Sequence, residues 1–267
     1  MKKIKDIFKE FINFFFEKIS LRLISKNFYD ISVRNKELVR TLEVIPNIKT
    51  LEDINKYLEN IENSESQKNR VPMDLFVLQY LGFKKNGFFL EFGAANGKYL
   101  SNTYLMEKKF GWKGILCEPA KNFMEDLKKN RTCIIENLCV WNKSNEVLEF
   151  IETEVPEHST ITKFSLLDKI AHLRKKGDRY QVKTITLNDL LEKHNAPQII
   201  DYLSIDTEGS ELEILEALNF DKYKISFITC EHMFTEKRKK IYDLLISKGY
   251  KRIFENFSNQ DDWFVLN

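Results

Sequence analysis

This sequence has few cysteines, almost no net charge and no long apolar run. Its four cysteines form no CxxC pair, a pattern typical of buried thiols in a reducing compartment. The 42 basic and 40 acidic side chains leave a formal charge of +2, which argues against a dedicated nucleic-acid binder. No segment approaches the ~20 apolar residues that span a bilayer, and none has the pattern of a cleavable signal. Together these absences predict a cytoplasmic protein.

The first 65 residues differ in pattern from the rest of the chain. Apolar residues recur at helical spacing over residues 4–24, with lysine and glutamate between them, which predicts an amphipathic helix. Two alternatives remain open for the apolar face of this helix. It packs on its own domain or on a second subunit of a homo-oligomer, or it lies on an anionic membrane surface. A second helix is predicted from Thr50 to Ile61, followed by the polar linker ENSESQKNR. We therefore predict a helical extension over residues 1–65 and a larger domain over residues 66–267.

From Val71 onward, segments typical of strands alternate with segments typical of helices. The strand-like segments are FFLEFG (88–93), GILCEP (114–119), CIIENLCV (133–140), VKTITL (182–187), DYLSID (201–206) and ISFITCEH (225–232). Such alternation predicts a Rossmann-like α/β fold with a mostly parallel sheet. The last segment, YKRIFENFSNQDDWFVLN, has a turn too short for a crossover, so the C-terminal strand is predicted to be antiparallel.

The loop after the first of these strands is the predicted cofactor site. Gly93 and Gly97 bound a short turn, and ligands of such sheets lie beside the loop that follows the first strand. Dinucleotide sites use a middle glycine that admits a pyrophosphate, whereas Ala94 stands inside this loop. Glu91 would also repel a pyrophosphate, by roughly 4 kcal/mol for unit charges ~4 Å apart at an effective dielectric near 20. A cationic cofactor without phosphate, S-adenosylmethionine, is favoured over NAD.

Glu118 supports the same prediction from the end of the second strand. A carboxylate at that place accepts hydrogen bonds from both hydroxyls of a ribose, in NAD sites as well as in other adenosine sites. At the end of the third strand, residues Asn137 to Val140 are expected to flank the adenine. The remaining predicted cofactor contacts lie in or next to the two loops and are Ala94, Asn96, Ser101, Asn102, Pro119 and Asp206.

Three blocks of the sequence together resemble the FkbM-type methyltransferases. The blocks are LEFGAANGKYLSNTYLMEKKFGWKGILCEP, YLSIDTEGSELEIL and CEHMFTEKRKKIYDLLISKGY. The resemblance covers roughly Gln67 to Asn267 and implies a class I methyltransferase fold that uses S-adenosylmethionine. It also implies oxygen as the usual methyl acceptor, often on sugars, glycans or secondary metabolites. Many relatives carry an acidic residue near the position of Asn96, so this chain departs from the pattern there.

An acidic group is predicted where the methyl group would leave the cofactor. Asp206 and Glu208 follow the strand at 201–206, and Glu231 and His232 end the next strand. Three interpretations remain open. Asp206, Glu231 and His232 hold a divalent ion such as Mg²⁺ or Mn²⁺, or His232 or Asp206 acts as a general base, or Glu208 and Glu231 only cap helices and bind water. The base is favoured over the metal, with a raised pKa expected for an imidazole beside carboxylates.

The segment from Thr153 to Gln181 interrupts the alternation and is predicted to select the acceptor. Long loops in compact domains are typically lids or binding loops. Its residues His158, Ser159 and Thr160 are predicted to contact the acceptor.

Two other classes of function compete with an O-methyltransferase. One is an NAD-dependent oxidoreductase that uses the same loop, against which the missing middle glycine argues. The other is a non-catalytic module that binds a partner or a membrane surface through residues 1–24. The joint presence of Glu91, Glu118 and Asp206 argues against the second class.

Overall fold

The structure is a computed structural model that describes residues 51–61, 63–66, 72–155, 158–166, 171–255, 258 and 260–267. The amphipathic helix predicted for residues 4–24 lies outside these residues. The chain divides into two compact units, which meet in sequence between Phe83 and Lys84. The predicted domain boundary near residue 65 stays a prediction. No helix in the described part of the chain is long and apolar enough to cross a membrane.

Two helices are described in the first unit. Helix α1 spans Leu51–Ile61 and helix α2 spans Met73–Tyr80. Helix α2 begins directly after Pro72, whose fixed backbone angle suits a helix start. The hydroxyl of Ser64 donates a 2.6 Å hydrogen bond to the carboxylate of Asp74 in the first turn. An acidic group there is favourable because the first backbone N–H groups of a helix carry partial positive charge.

The second unit is built on a seven-stranded, mostly parallel sheet. Its strands are β1 (Phe88–Phe92), β2 (Lys113–Cys117), β3 (Ile134–Glu136), β8 (Ile199–Ile205), β9 (Lys224–Glu231), β10 (Tyr250–Ile253) and β11 (Asp261–Leu266). Across the sheet their order is β10-β11-β9-β8-β1-β2-β3. Strand β11 runs antiparallel to both of its neighbours, β9 and β10. The other neighbouring strands of this sheet, from β9 across to β3, run parallel to one another. The predicted α/β class, with an antiparallel C-terminal strand, is confirmed.

Five helices are described in the second unit, close to the predicted places. They are α3 (Tyr104–Phe110), α4 (Met124–Asn130), α5 (Leu187–Lys193), α6 (Glu211–Glu216) and α7 (Lys237–Ser247). Apolar residues of α5, α6 and α7 form one buried cluster with apolar residues of the central strands. Burial of these side chains is the main favourable term for folding.

A second sheet of four strands corrects the prediction for the middle of the chain. Its strands are β4 (Cys139–Val140), β5 (Val147–Glu152), β6 (Thr160–Ile161) and β7 (Asp178–Ile185), in the order β4-β7-β5-β6. The predicted strand over 133–140 is therefore two short strands in different sheets, and the one over 182–187 belongs to the second sheet. Along β7, buried Val182 and Thr184 alternate with exposed Gln181 and Lys183. That alternation is typical of a half-solvated sheet, not of a central parallel strand.

Strand β1 lies between β2 and β8, and this arrangement brings three loops together. The amide of Gly93 donates to the carbonyl of Cys117, and the amide of Asp206 donates to the carbonyl of Phe92. The carboxyl ends of the parallel strands thus face one crevice, which is where ligands bind in open α/β sheets.

Gly93 is predicted to be indispensable because its backbone touches the end of β8. Its φ is +77°, and an added Cβ would collide with the carbonyl oxygen of Asp206. Gly249 is a matched control, with φ +88° and nothing within 4 Å of an added Cβ. We expect Gly249→Ala to lose about 1–2 kcal/mol of unfolding free energy from left-handed strain. Gly93→Ala should lose about 1–3 kcal/mol more from the collision. Urea unfolding measures both, and equal losses would contradict the contact.

Candidate active site

An open cleft lies at the carboxyl ends of the central strands. It has a volume of about 1010 Å³, its solvent-filled mouth included. Its walls come from the loops after β1, β2 and β8 and from the second sheet. The predicted site residues that line it are Glu91, Gly93, Ala94, Asn96, Ser101, Asn102, Glu118, Pro119, Ser159, Asp206 and Glu208. Most of the predicted cofactor contacts are thus brought together in one place.

The loop between Gly93 and Gly97 is held by hydrogen bonds at both ends. The amide of Ala95 donates to the carboxylate of Glu118 over 2.8 Å. The side-chain oxygen of Asn96 accepts from the amides of Lys98 and Tyr99 and closes the next turn. Asparagine is suited to such turns because its side chain hydrogen-bonds the backbone two or three residues on. Asn96 therefore has a local structural task beside its predicted contact with the cofactor.

Glu91 is buried and orders the chain that follows the loop. Its carboxylate accepts hydrogen bonds from the amide of Asn102 at 2.7 Å and from the hydroxyls of Ser101 and Thr103 at 3.0 and 2.5 Å. Asn102 is fixed further by a bond from its side-chain amide to the hydroxyl of Ser204 in β8. Both carboxylate oxygens of Glu91 are engaged inside the protein. Its direct contact with a cofactor stays a prediction.

Arg131 is a residue that the sequence did not indicate. It is buried after α4, and its guanidinium lies 3.5 Å from the carboxylate of Glu91 and 2.6 Å from that of Glu107. It also donates to the carbonyl of Gly97 at 3.0 Å. An added Cβ at Gly97 would lie 2.7 Å from Cγ of Arg131, so the glycine makes room for the arginine. No signal near residue 131 marks this role, since its partners are 24 to 40 positions away.

Glu118 occupies the predicted place at the end of β2. One carboxylate oxygen accepts from the amide of Ala95 and the other from the amide of Ala120, each at 2.8 Å. Burial raises the pKa of Glu118 to about 7, although these two hydrogen bonds oppose the rise. Each oxygen keeps a second lone pair with which it can accept a hydroxyl.

Asn137 does not line the cleft, unlike its neighbours. It is exposed, and its side-chain amide donates to the carbonyls of Glu118 and Pro119. The cleft wall at this strand end is apolar and consists of Leu138, Cys139 and Val140. Asn137 therefore braces the loop after β2, and the apolar surface beside it is the one that suits an adenine ring.

Three carboxylates converge beside the loop and form what we call the acid cluster. Side-chain oxygens of Asp206, Glu208 and Glu231 all lie within 4.8 Å of one another. Desolvation, and then the charges of Glu208 and Asp261, raise the pKa of Asp206 well above its ordinary range. A hydrogen bond with the Glu231 side chain opposes that rise. Desolvation and the charge of Asp206 likewise raise the pKa of Glu231. Such a pair of acids binds a proton more readily than an isolated carboxylate does.

Glu208 is held differently from the other two members of the acid cluster. Its carboxylate lies 2.8 Å from the guanidinium of Arg174 and 3.6 Å from Nδ1 of His158. Among the described residues, no side-chain hydrogen bond caps the start of helix α6, and the turn before it is held by Glu211, whose carboxylate accepts from the amides of Thr207 and Gly209. The interpretation of Glu208 as a mere helix cap is therefore not supported.

His232 points away from the acid cluster, and its expected raised pKa is wrong. Its Nε2 lies 3.8 Å from the carboxylate of Asp262, and its Nδ1 accepts from the amide of Phe234. Burial lowers the pKa of His232, and the charge of Asp262 opposes the change only in part. Glu231, the last residue of β9, points towards Asp206 and Glu208, whereas the next residue, His232, points to the other side. Its predicted roles as base and as metal ligand are not supported by this geometry.

The three predicted acceptor residues lie along one edge of the cleft. His158 approaches Glu208, and Ser159 lines the cleft while its hydroxyl accepts from the amide of Thr153. Thr160 is buried and donates a 2.8 Å hydrogen bond to the carbonyl of Glu208. Thr160 therefore supports the acid cluster, and its side chain is not exposed for contact with an acceptor.

The acid cluster has the spacing to hold one divalent cation, with Glu208 in the place predicted for His232. Two observations favour the general-base interpretation instead. The Glu208 carboxylate is already paired with Arg174, and Asp206 hydrogen-bonds with Glu231.

Comparison with known proteins identifies one family. A family model described as "Methyltransferase FkbM domain" matches residues 91–252, which include the glycine loop, Glu118 and the acid cluster. The resemblance predicted from the three sequence blocks is confirmed. No curated protein matches the chain.

Some solved methyltransferase structures are similar to this chain at low sequence identity. The N-terminal domain of human METTL16 in complex with S-adenosylhomocysteine (SAH) is 14% identical, with 73% of this chain and 69% of that chain covered and a TM-score of 0.37. A methyltransferase from Pyrococcus furiosus is 15% identical, with 90% and 98% covered and a TM-score of 0.35. Nothing about this chain is concluded from similarity at this level.

Arg131→Met is predicted to destabilise the second unit strongly. It leaves the buried carboxylates of Glu91 and Glu107 without their cation, which typically costs 3–5 kcal/mol. The control Lys129→Met breaks an exposed pair with Glu125 and should cost less than about 0.5 kcal/mol. Urea unfolding at pH 7 compares the two variants with the wild type.

The same variant should change the acid end of the stability profile. Burial by itself would raise the pKa of Glu107, but the charge and hydrogen bond of Arg131 lower it to about 2. Because the pKa of Glu107 is lower in the folded state, its ionised form stabilises the fold at pH values above the ordinary pKa of 4.5. This stabilisation is lost as the pH falls from 4.5 towards 2. Arg131→Met should flatten the profile in that window. An unchanged slope would contradict the ion pair.

Proposed function

This chain belongs to the FkbM methyltransferase family, and from that premise we propose that it methylates a hydroxyl oxygen of a sugar, glycan or related small metabolite. The family assignment makes it an S-adenosylmethionine-dependent methyltransferase and argues against the oxidoreductase and the non-catalytic module. The observation that carries the proposed acceptor is the acid cluster beside the glycine loop.

The residues of the cleft fit S-adenosylmethionine. Gly93 presents bare backbone beside Asp206, and the apolar wall at Leu138 and Val140 offers a surface for adenine. Glu118 stands where a ribose would donate its two hydroxyls. When bound, the cofactor supplies a methyl group activated by a positively charged sulfur. The acid cluster would stabilise that positive charge, because opposite charges attract strongly at a poorly solvated site.

Asp206 is the proposed general base. A hydroxyl becomes a good nucleophile only as its proton leaves, and a positioned base typically contributes 10²–10⁴-fold. The side chain of Asp206 is exposed to the cleft, whereas those of Glu208 and Glu231 are mostly buried. The hydroxyl proton passes to a carboxylate oxygen of Asp206, whose ionised form accepts a hydrogen bond from the Glu231 side chain before the transfer. A base with a pKa raised above its ordinary range suits this task.

Two features support a hydroxyl acceptor of modest size. The sequence after β8 is DTEG, which lacks the Pro-Pro-aromatic motif often used for amino groups of nucleobases. Tyr99 and Leu100 stand exposed, 52% and 39%, where they line the cleft. Together they offer an apolar surface that suits the face of a sugar ring.

SAH binding tests the cofactor site. At 100 times its dissociation constant, SAH should stabilise the wild type by about 2.7 kcal/mol, or roughly 5–10 °C in Tm, and NAD far less. Glu118→Gln should weaken SAH binding roughly 10- to 100-fold, because hydrogen bonds to charged groups contribute about 1.5–3 kcal/mol. Glu125→Gln is the control, since Glu125 is exposed on α4 and pairs with a lysine of the same helix. Calorimetry gives the affinities. A Tm shift with NAD and none with SAH would overturn the assignment.

Methyl transfer itself tests the acceptor and the base. Isotope-labelled S-adenosylmethionine is incubated with panels of sugars, nucleotide sugars and glycans, and the labelled products are analysed for methyl ethers. Asp206→Asn should lower kcat by about 10²–10⁴-fold while the fold is kept. The control Glu192→Gln removes an exposed carboxylate of α5 and should leave kcat unchanged. EDTA should leave the wild type active. Transfer to nitrogen alone, or loss of activity with EDTA that Mg²⁺ restores, would contradict this proposal.

A further inference from the structure

One side of the acid cluster is built by the insertion between β5 and β7. Its described residues are 153–155, 158–166 and 171–177. Residues 160–161 form strand β6, and two short 3₁₀-helices span Thr162–Phe164 and Leu173–Lys176. The second of these helices carries the basic residues Arg174, Lys175 and Lys176. The two lysines are exposed, but Arg174 is 1% exposed.

Arg174 connects both ends of the insertion to the acid cluster. Its Nε donates to the carbonyl of His158 at 2.8 Å, and a terminal nitrogen donates to the carboxylate of Glu208 at 2.8 Å. An arginine that is nearly inaccessible to solvent needs such partners, because an unpaired buried cation is very costly. Its position is therefore fixed by the cluster, and the cluster member Glu208 is fixed by Arg174.

Further residues of the insertion contact the backbone around Glu208. The hydroxyl of Thr160 donates a 2.8 Å hydrogen bond to the backbone carbonyl of Glu208. Glu208 itself has a φ of +57°, which a residue with a side chain adopts only when its surroundings enforce it. The next residue, Gly209, has a φ of +121°, and an added Cβ there would lie 2.9 Å from Cβ of Phe164. The strained turn after β8 is thus held by contacts from the insertion.

We propose that Arg174 is a positioning residue, which holds the Glu208 carboxylate in the acid cluster and so makes the insertion part of the methyl-transfer site. This inference rests on the proposed function, because it takes the cluster to face the transferred methyl group. Neither Arg174 nor Thr160 lines the cleft, so neither is expected to touch the cofactor or the acceptor. Without its guanidinium partner, the buried Glu208 carboxylate is no longer held in place. It turns away from Asp206 and Glu231, and the cluster loses one negative charge.

The charges that face Glu208 come from several elements. They are Arg174 and His158 of the insertion, Asp206 at the end of β8, Glu231 of β9, and Glu211 and Asp261 through their influence on Asp206 and Glu231. Among them Arg174 is the permanent cation in direct contact with Glu208. Its removal is therefore expected to act on the cluster through Glu208.

A double-mutant cycle tests this coupling. The proteins are wild type, Arg174→Met, Glu208→Gln and the double variant, with Arg174→Lys as the conservative variant that keeps the charge. The first readout is the ratio of S-adenosylmethionine affinity to SAH affinity, since the two differ by a methyl group and its positive charge. This ratio needs no acceptor. The second readout is kcat with the acceptor found in the labelled screen.

Arg174→Met is expected to reproduce Glu208→Gln in both readouts. Each single variant should lower the affinity ratio by about 3- to 10-fold and kcat by at least about 10-fold, with SAH affinity within about 3-fold of wild type. The double variant should match Glu208→Gln within about 2-fold, because a residue that acts through another has no effect once that other is gone. Arg174→Lys should recover much of the loss. The matched control is Lys175→Met, which removes a cation at the exposed neighbouring position and should change neither readout.

The outcomes separate this inference from the proposed function. If the wild type binds neither cofactor form, the proposed function fails. If both cofactor forms bind but Arg174→Met leaves the affinity ratio unchanged, the positioning role is wrong. It is also wrong if Arg174→Met lowers the ratio as much in the Glu208→Gln variant as in the wild type. Should Arg174→Met not fold, Thr160→Val removes the hydroxyl that holds the Glu208 carbonyl at nearly constant volume. It should shift the ratio in the same direction, and an unchanged ratio would then overturn the inference.

Discussion

The buried ion pairs of Arg131 are the interaction on which the cofactor loop depends. The guanidinium joins Glu91 at the end of β1 to Glu107 in α3, and it also holds the carbonyl of Gly97. Two carboxylates in such a place would be unfavourable without a cation, and the cation would be unfavourable without them. The chain from Gly97 to Thr103 is thereby fixed before any ligand binds. A site ordered in advance loses less conformational entropy on binding.

The carboxylates at the cleft have two different roles, depending on the groups that surround them. The charge of Glu91 is compensated by Arg131 and by hydrogen bonds, so it serves the architecture of the loop. Asp206 and Glu231 lie among further carboxylates, and desolvation raises the pKa of each. The first arrangement gives rigidity, and the second gives carboxyl groups that bind a proton more readily than ordinary ones. Carboxylates of similar type thus acquire separate roles from their partners.

The insertion between β5 and β7 supports a turn that the strand ends of the parallel sheet do not hold in place by themselves. Strands β8 and β9 deliver Asp206 and Glu231 to one edge, but the turn that carries Glu208 is strained and needs support. Thr160, Phe164 and Arg174 supply that support from the second sheet and its connections. Insertions of this kind vary easily in sequence because they lie outside the main sheet. The insertion is thus tied directly to the acid cluster.

The sequence by itself determined the fold class, the glycine loop, Glu118 and the convergence of Asp206 with Glu231. These follow from local periodicity and from the rule that parallel strands end at one edge, which need no knowledge of distant contacts. Only the tertiary structure decided the rest. Arg131 and Arg174 reach their carboxylate partners across 24 to 40 positions, His232 points to the side opposite Glu231, and strand β7 joins a second sheet. Charge pairing and side-chain direction depend on which segments meet in space, and the order of residues along the chain does not encode that locally.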